Sequence, residues 1–585
     1  MKITIFLLLF AMLPAGYWTI EKSRAIVEKT QTIKLAPDLS TLSKVERTAV
    51  ARLLEAGKIF QQLYETQLHR QALDSHQKLL EQHKQAPTDA TENLLTLYRL
   101  FQGPIATTLE NKREGFLPVD PNVPGKNVYP WGVTSEQLDA FLKANEQKRI
   151  RILDARTVVR EVSKANVQQD LAKLKQHPAL DLLHPQLRDQ LEELNNASQP
   201  TDPQYYAIPY SLAYADDLTT VFRLLNEAAD AVAHEDEEFA RFLRNRARDL
   251  LSNDYESGDA SWVTGRFKNL NAEIGSYETY DDELYGVKSF FAFSLLMKRD
   301  KETTALRTAL KGLQELENSL PYENHKKINE DIPVGVYDVI ADFGQARGGN
   351  TATILPNESY LARRYGRIIL LRANIMRHPG LFDRSSGSFA AAVGSDAAKE
   401  LTSDGNFYRT LWHEIGHYLG VDRTKDNRTL DAALEENSNA IEEMKSDLVS
   451  LYVAEALHEQ GYYSDQALRS VYASGILRVL QNNRPRRDQP YNTMQLMQWN
   501  YFLENGLLSF DGKHLNIHYE KYHDVVKSML AKTLALQYGG DKAEAHGFID
   551  RYTKWDPSLH EVVASNIRAQ QRYRFSLFRY AALGE

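Results

Sequence analysis

Apolar residues recur at helical spacing over most of the chain. Within residues 39–81, Leu53, Leu54, Ile59, Phe60 and Leu63 form one stripe, and Ser40 or Thr41 stands where an N-cap belongs. Helical spacing returns over 135–174, runs strongly through 212–253 and dominates 406–481. Residues 102–131, with several Gly and Pro, read as a loop, and 178–199 as a boundary. The period changes in 334–343, 351–355 and 367–375, which read as strands, with Gly348-Gly349-Asn350 supplying a turn. The expected fold class is mainly α with a small β-sheet (α+β). No internal repeat interrupts it. A chain of 585 residues exceeds one ordinary core, so two lobes or more are expected.

One helical segment carries chemistry. His413-Glu414-Ile415-Gly416-His417 has the form H-E-x-x-H, flanked by Leu411, Trp412 and Leu419 at helical positions, with Gly420 placed to end the helix. Histidines four apart lie on one helix face and can reach one Zn2+ together. Glu414 is placed to act as base on a water at the ion's open position.

Such a site needs a third protein ligand. Residues 433–457 read as a long helix, with Ile441, Met444, Leu448, Leu451 and Val453 apolar. Glu443 lies on it, 26 residues after His417, room enough for a turn and a returning helix. Asp447, one turn further on the same face, can accept the free ring N–H of a ligating histidine, and Glu442 is a second such acid. A competing set exists: His413 to Gly420 also fits H-E-x-x-H-x-x-G, whose third histidine would fall at 423. That position is Arg423, which stays protonated, and Asp422 is one place off. Glu443 is the preferred ligand.

Composition narrows the chemistry. With no cysteine, disulfides, thiolate ligands and cysteine nucleophiles are excluded, and His, Asp and Glu must hold any metal. A net charge of -8 over a chain 43% hydrophobic and 25% charged gives no nucleic-acid footprint, and Arg484-Pro485-Arg486-Arg487 reads as a solvated loop. His514, His518 and His523 are not compactly spaced, so a second metal is not expected. Met1-Lys2, an apolar run over 3–13 and Pro14-Ala15-Gly16 have the order of a secretory signal. Leu13 makes a poor cleavage site, so export is expected either by cleavage or with a membrane tether through residues 3–18.

Several segments, in this order, resemble the dipeptidyl peptidase III family (peptidase family M49), closest to its bacterial branch. They start at Ile274-Gly275-Ser276-Tyr277 and Gly348-Gly349-Asn350-Thr351, continue through the H-E-x-x-H and Glu442–Asp447 segments, and end at Asn500-Tyr501-Phe502. The resemblance spans residues 200–560 and implies a divergent member. Against the family's H-E-x-x-G-H and E-E-C-R-A-[ED], this chain has five residues in the first motif and Met444 at the cysteine of the second. It implies that His413, His417 and Glu443 hold one Zn2+ and that Glu414 is the base. It also implies two lobes around a wide cleft, zinc on the helical lobe, and a sheet that takes the peptide substrate as an added strand. Asn350 and Asn357 would be substrate-binding. Ile354 stands where the family has an amine-binding Asn, and Glu273 where it has a carbonyl-assisting Tyr. No histidine matches the family's late transition-state residue; Tyr491 falls nearest, and Tyr491 and Tyr501 are the candidates for the oxyanion.

The expected organisation is 1–18 signal or anchor, 24–290 mostly helical lower lobe, 291–330 helical upper-lobe segment, 331–376 small β region, 377–545 zinc-binding lobe and 546–585 C-terminal helix. The function that follows is that of a periplasmic zinc metallopeptidase acting on short peptides as a monomer. A zinc hydrolase of a non-peptide amide or ester, and a degenerate peptide-binding protein, are the alternatives.

Overall fold

The computed structural model describes residues 15–198, 202–328, 332–356, 358–481 and 490–585. The apolar run at 3–13, Asn357 and the basic run at 484–487 lie outside the described residues. No helix among the described residues is long and apolar enough to cross a membrane.

The elements that position the site are these, in chain order. Strand β1 is Thr30–Leu35, followed by helices α1 (Lys44–Leu68), α2 (Ala72–Gln85) and α3 (Asp89–Phe101). Strands β2 (Leu270–Ser276), β3 (Phe291–Lys298), β4 (Val334–Gly344), β5 (Ala352–Leu355) and β6 (Ile368–Arg372) form one sheet. Helices α4 (Ser403–Gly416), α5 (Ser438–Glu459), α6 (Asp465–Val479), α7 (Pro490–Glu504) and α8 (Tyr522–Gly539) follow, and strand β7 is Phe575–Tyr580.

The sheet has the order β2-β3-β4-β6-β5. Only β4 and β6 run parallel, and β5 is left as an edge strand, paired on one side to β6. Two apolar cores meet across this sheet. On β6, Ile368 and Leu370 belong to the first core and Ile369 and Leu371 to the second. On β4, Val334 and Val336 face the second, and Tyr337, Val339 and Phe343 the first. Period-2 alternation sends successive side chains to opposite faces, and both faces are covered. The first core is built mainly from residues before 300, with α1 packed on β3 and β4. The second holds α4 to α8.

Several sequence expectations change. Helix α1 is capped by Ser43, not Ser40 or Thr41, because Glu46 stands three residues on and closes a reciprocal capping box. Phe291–Lys298, expected to open a helical segment, is a strand: covered on both faces, its apolar run has no alternation to distinguish it from a buried helix. Phe575–Tyr580, expected within a C-terminal helix, pairs parallel with β1 and ties the two chain ends together. Thr157–Glu161, inside a stretch read as helix, forms an antiparallel pair with Tyr205–Pro209, which lies between the expected boundary and the next helix. Pro178–Leu183 and Leu187–Asn196 are helices within the expected boundary, and Ile105–Thr107 pairs with Arg113–Gly115 in the expected loop.

Candidate metal centre

Helix α4 begins at the Thr402 cap, whose side chain accepts the Gly405 N–H. Leu411, Trp412 and Ile415 fix its buried face in the second core. It ends at Gly416, earlier than Gly420, and His417 is the C-cap with helical backbone angles. The i,i+4 relation of the two histidines therefore survives. The last carbonyls are not left bare: Lys445 Nζ of α5 donates to Gly416 O and Leu419 O, each at 2.8 Å.

Gly416 explains the spacing of the two helices. A Cβ there would lie 2.9 Å from Ser446 O and 3.1 Å from Ser446 Cα. The missing side chain lets α4 and α5 approach backbone to backbone, which brings Glu443 to the histidine pair.

His413 Nε2 lies 3.3 Å from Glu443 Oε2, and His417 Nε2 lies 4.0 Å from the same oxygen. One donor atom from each of the three residues falls within 4.8 Å of the others. The opposite ring nitrogens are turned to acids. His413 Nδ1 is 2.7 Å from Asp447 Oδ1, a close pairing whose N–H direction is out of line for a hydrogen bond. His417 Nδ1 is 2.9 Å from both Glu442 Oε1 and Ser446 Oγ. Those acids are themselves held: Asp447 by Arg409 and Arg478, Glu442 by Lys445 and by Gln537 Nε2 at 2.9 Å.

Electrostatics follow from this packing. Burial works against charge on His413, yet Asp447, Glu443 and Glu414 outweigh it and push its pKa up to about 9. Burial would raise Glu442, but Lys445 and His417 pull it down to about 2. Asp447 is likewise held well below the usual carboxylate range, its burial overcome by Arg478, His413 and Arg409.

The donor set fits a divalent cation. Glu443 Oε2 is buried, makes no hydrogen bond and faces both Nε2 atoms. A buried carboxylate oxygen without a hydrogen bond is costly, and a bound cation would satisfy it. Two imidazoles and a carboxylate, each histidine backed by an acid, are the ligands and outer partners that zinc takes.

The remaining site residues are placed as follows. Glu414 is half-buried, next in sequence to His413, with no hydrogen bond or ion pair to another described residue. Tyr491, at the start of α7, is 40% exposed; burial and the neighbouring Glu443 raise its pKa, and Arg478 lies over its ring at 5.1 Å. Tyr501 does not serve as expected: it is fully buried and its hydroxyl is engaged by Ser528 Oγ at 2.8 Å. Asn350 is exposed in the turn between β4 and β5, whereas its neighbours Gly349 and Thr351 line a hollow of about 290 Å3. The other wall of that hollow includes Asn406 and Thr410, two turns and one turn before His413 on the same helix face. Arg384 and Ser385 open it into a larger hollow of about 860 Å3, whose cations are Lys29, Arg384, Arg568 and Arg574.

Glu273 occupies no open position. It is buried and paired with Arg372 at 2.8 Å, and Arg372 also donates to Thr353 on β5. Ile354 packs against the second core. Sequence reasoning missed Arg409, Arg478, Lys445, Ser446 and Gln537. Arg409 had a signal, four residues before His413 on one helix face; Arg478 and Gln537 arrive from other helices and had none.

Comparison with known proteins agrees with this architecture. No protein-family model matches the chain. Nudix hydrolase 3 of Arabidopsis thaliana is 26% identical over 439 residues, 73% of this chain and 54% of its own length. The chain thus spans about half the length of that relative. Dipeptidyl-peptidase III (DPP III) from Caldithrix abyssi superposes with a TM-score of 0.79 at 22% identity, covering 96% of this chain and 99% of its own. Dipeptidyl-peptidase III from Corallococcus sp. strain EGB gives 0.71 at 24%, covering 97% and 98%. Over nearly its whole length, then, this chain carries the fold of dipeptidyl-peptidase III, as the resemblance in its sequence implies.

Proposed function

We propose that the protein is a zinc-dependent metallopeptidase of the dipeptidyl-peptidase III kind, cleaving short peptides. The observation that carries this reading is the convergence of His413, His417 and Glu443 Oε2, a buried oxygen without a hydrogen bond. Zinc held there would supply Lewis-acid chemistry, polarising a peptide carbonyl and easing loss of a proton from water. Asp447 and Glu442, beside the two Nδ1 atoms, would leave both Nε2 atoms to hold the ion. Glu414, free of partners among the described residues, takes a proton from the attacking water and gives it to the leaving amine. Tyr491 stays protonated beside Glu443 and can donate a hydrogen bond to the developing oxyanion.

The substrate lies in a wide cleft between two lobes, each organised around one of the two cores. The free edge of β5 offers unpaired backbone groups to an extended peptide, and the hollow beside Asn406 and Thr410 leads along α4 toward the histidines. Amine capture of the dipeptidyl type is not supported, because Ile354 stands at the amine-binding position, and the closed Glu273–Arg372 pair leaves no group to assist the carbonyl at the other departure. Export to the periplasm rests on the apolar run at 3–13.

Digestion of a mixed peptide library by the zinc-loaded protein, read by mass spectrometry, tests the activity. Cleavage products that vanish in Glu414→Gln are expected. Turnover confined to amides or esters outside peptides would replace this reading with the non-peptide hydrolase.

A further inference from the structure

A second hollow, away from the histidines, lies between α1, α2, α3 and β7. Its volume is about 450 Å3, and three guanidinium groups meet in it, from Arg99, Arg347 and Arg579. They are close enough that Arg347 and Arg579 add to burial in lowering the pKa of Arg99. Their carboxylate supply is short. Glu585 pairs closely with Arg347, at 2.8 Å, but reaches Arg99 only at 3.6 Å. Glu65 is engaged by the Tyr98 hydroxyl and Gln61 and adds its charge on the side of Arg347, and Glu92 is exposed at the rim. Arg579 has no acid partner among the described residues, and its Nε is buried without an acceptor. A buried guanidinium N–H without an acceptor is costly, and a planar N–H fork is suited to an oxyanion.

The rest of the hollow is not ionic. His76 lies stacked on Tyr98 with ring centroids 3.9 Å apart, and Leu80 is 42% exposed beside it. Burial and Arg99 lower the pKa of His76 to about 4, so at neutral pH it presents an uncharged aromatic ring. The hollow therefore combines three cations with an aromatic and apolar wall.

We propose that this hollow binds a small molecule with an oxyanion head and an apolar or aromatic body. The head sits on Arg579 and Arg99, and the body lies against His76 and Leu80. Glu585 holds the third guanidinium and competes for the same charges. The site is separate from the metal centre and does not depend on the peptidase reading.

Calorimetric titration of the full chain at fixed ionic strength tests it, with phenyl phosphate, inorganic phosphate and benzoate as probes. Each titration is run on zinc-loaded and on chelated protein, since a phosphate can also bind zinc. Phenyl phosphate or benzoate should bind whether or not metal is present, and the better of the two identifies the head. Arg579→Gln and the more exposed Arg99→Gln should each weaken binding by about tenfold or more, as loss of a charge-assisted contact does. Glu585→Gln should tighten it, a change opposite to that of a merely structural loss. Melting temperature and zinc content check that each variant is folded. The proposal is overturned if neither organic probe binds at millimolar concentration, if chelation abolishes binding, if folded arginine variants bind as the wild type does, or if Glu585→Gln weakens binding.

Discussion

Glu414 and Glu443 sit on adjacent helices, both acids and both close to His413, yet they are not interchangeable. Glu443 points its free oxygen at two ring nitrogens; Glu414 has no protein partner among the described residues. Glu414→Gln keeps the size and removes the basicity. Its turnover should fall by at least about a hundredfold while its zinc content stays at the wild-type level. Asp447→Asn keeps a hydrogen-bond acceptor but loses the charge that orients His413. Its zinc affinity, measured against a chromophoric chelator, should drop about 10–100-fold. Equal affinity would mean that the 2.7 Å pairing does not tune the ligand. The histidine pair and both flanking acids were legible in the sequence because they sit at i,i+4 or one turn apart on single helices. Tyr501 was misread for the same reason in reverse: its position in a matching segment said nothing of which way the helix turned it.

At the scale of elements, the contact of α4 with α5 is set by Gly416. Gly416→Ala would put a methyl group 2.9 Å from Ser446 O and force the helices apart. A cost of about 1–3 kcal/mol is expected, as for other overpacked sites, together with weaker zinc binding. A melting temperature and zinc affinity both unchanged would show that the helices have slack. The sheet makes a second prediction. Asp342 on β4 accepts hydrogen bonds from Ser294 and Tyr580, and burial lifts its pKa to about 6 against the pull of Arg372. An unfolded aspartate titrates near 3.9. Between these values the native state holds a proton that the unfolded chain has lost, so this group's contribution to stability falls as pH rises from about 4 to about 6. Asp342→Asn should therefore gain stability over the wild type at pH 7, by up to about 3 kcal/mol, and show no gain below pH 4. Urea melts at the two pH values decide it. Strands β4, β5 and β6 were legible from their aliphatic runs and the Gly-Gly turn. Strands β3 and β7 were not: the first is buried on both faces, and the second gains its identity only by pairing with β1, more than 500 residues away in sequence.

For the whole molecule, two cores share one sheet, and the helices that carry the candidate metal ligands pack into the second. Zinc bound to α4 and α5 would stabilise that half, because ligands that bind only the native state shift unfolding by mass action. Chelation should lower the melting temperature of the wild type and leave His413→Ala unmoved. If unfolding resolves into two steps, the step involving the second core should carry the metal dependence. That architecture was foreshadowed by chain length, by the helical half after residue 400 and by the family resemblance. The meeting of both cores on β6 was not, since a run such as Ile368-Ile369-Leu370-Leu371 reveals burial but not that its alternate side chains serve different cores.

Metal stoichiometry of the purified chain, read by mass spectrometry beside that of Glu443→Ala, bears most directly on the site. The three converging side chains predict about one zinc per wild-type chain and almost none in the variant. A wild-type protein that takes up no zinc when supplied with it, or a variant that holds as much as the wild type, would contradict the assignment of Glu443 and the chemistry built on it.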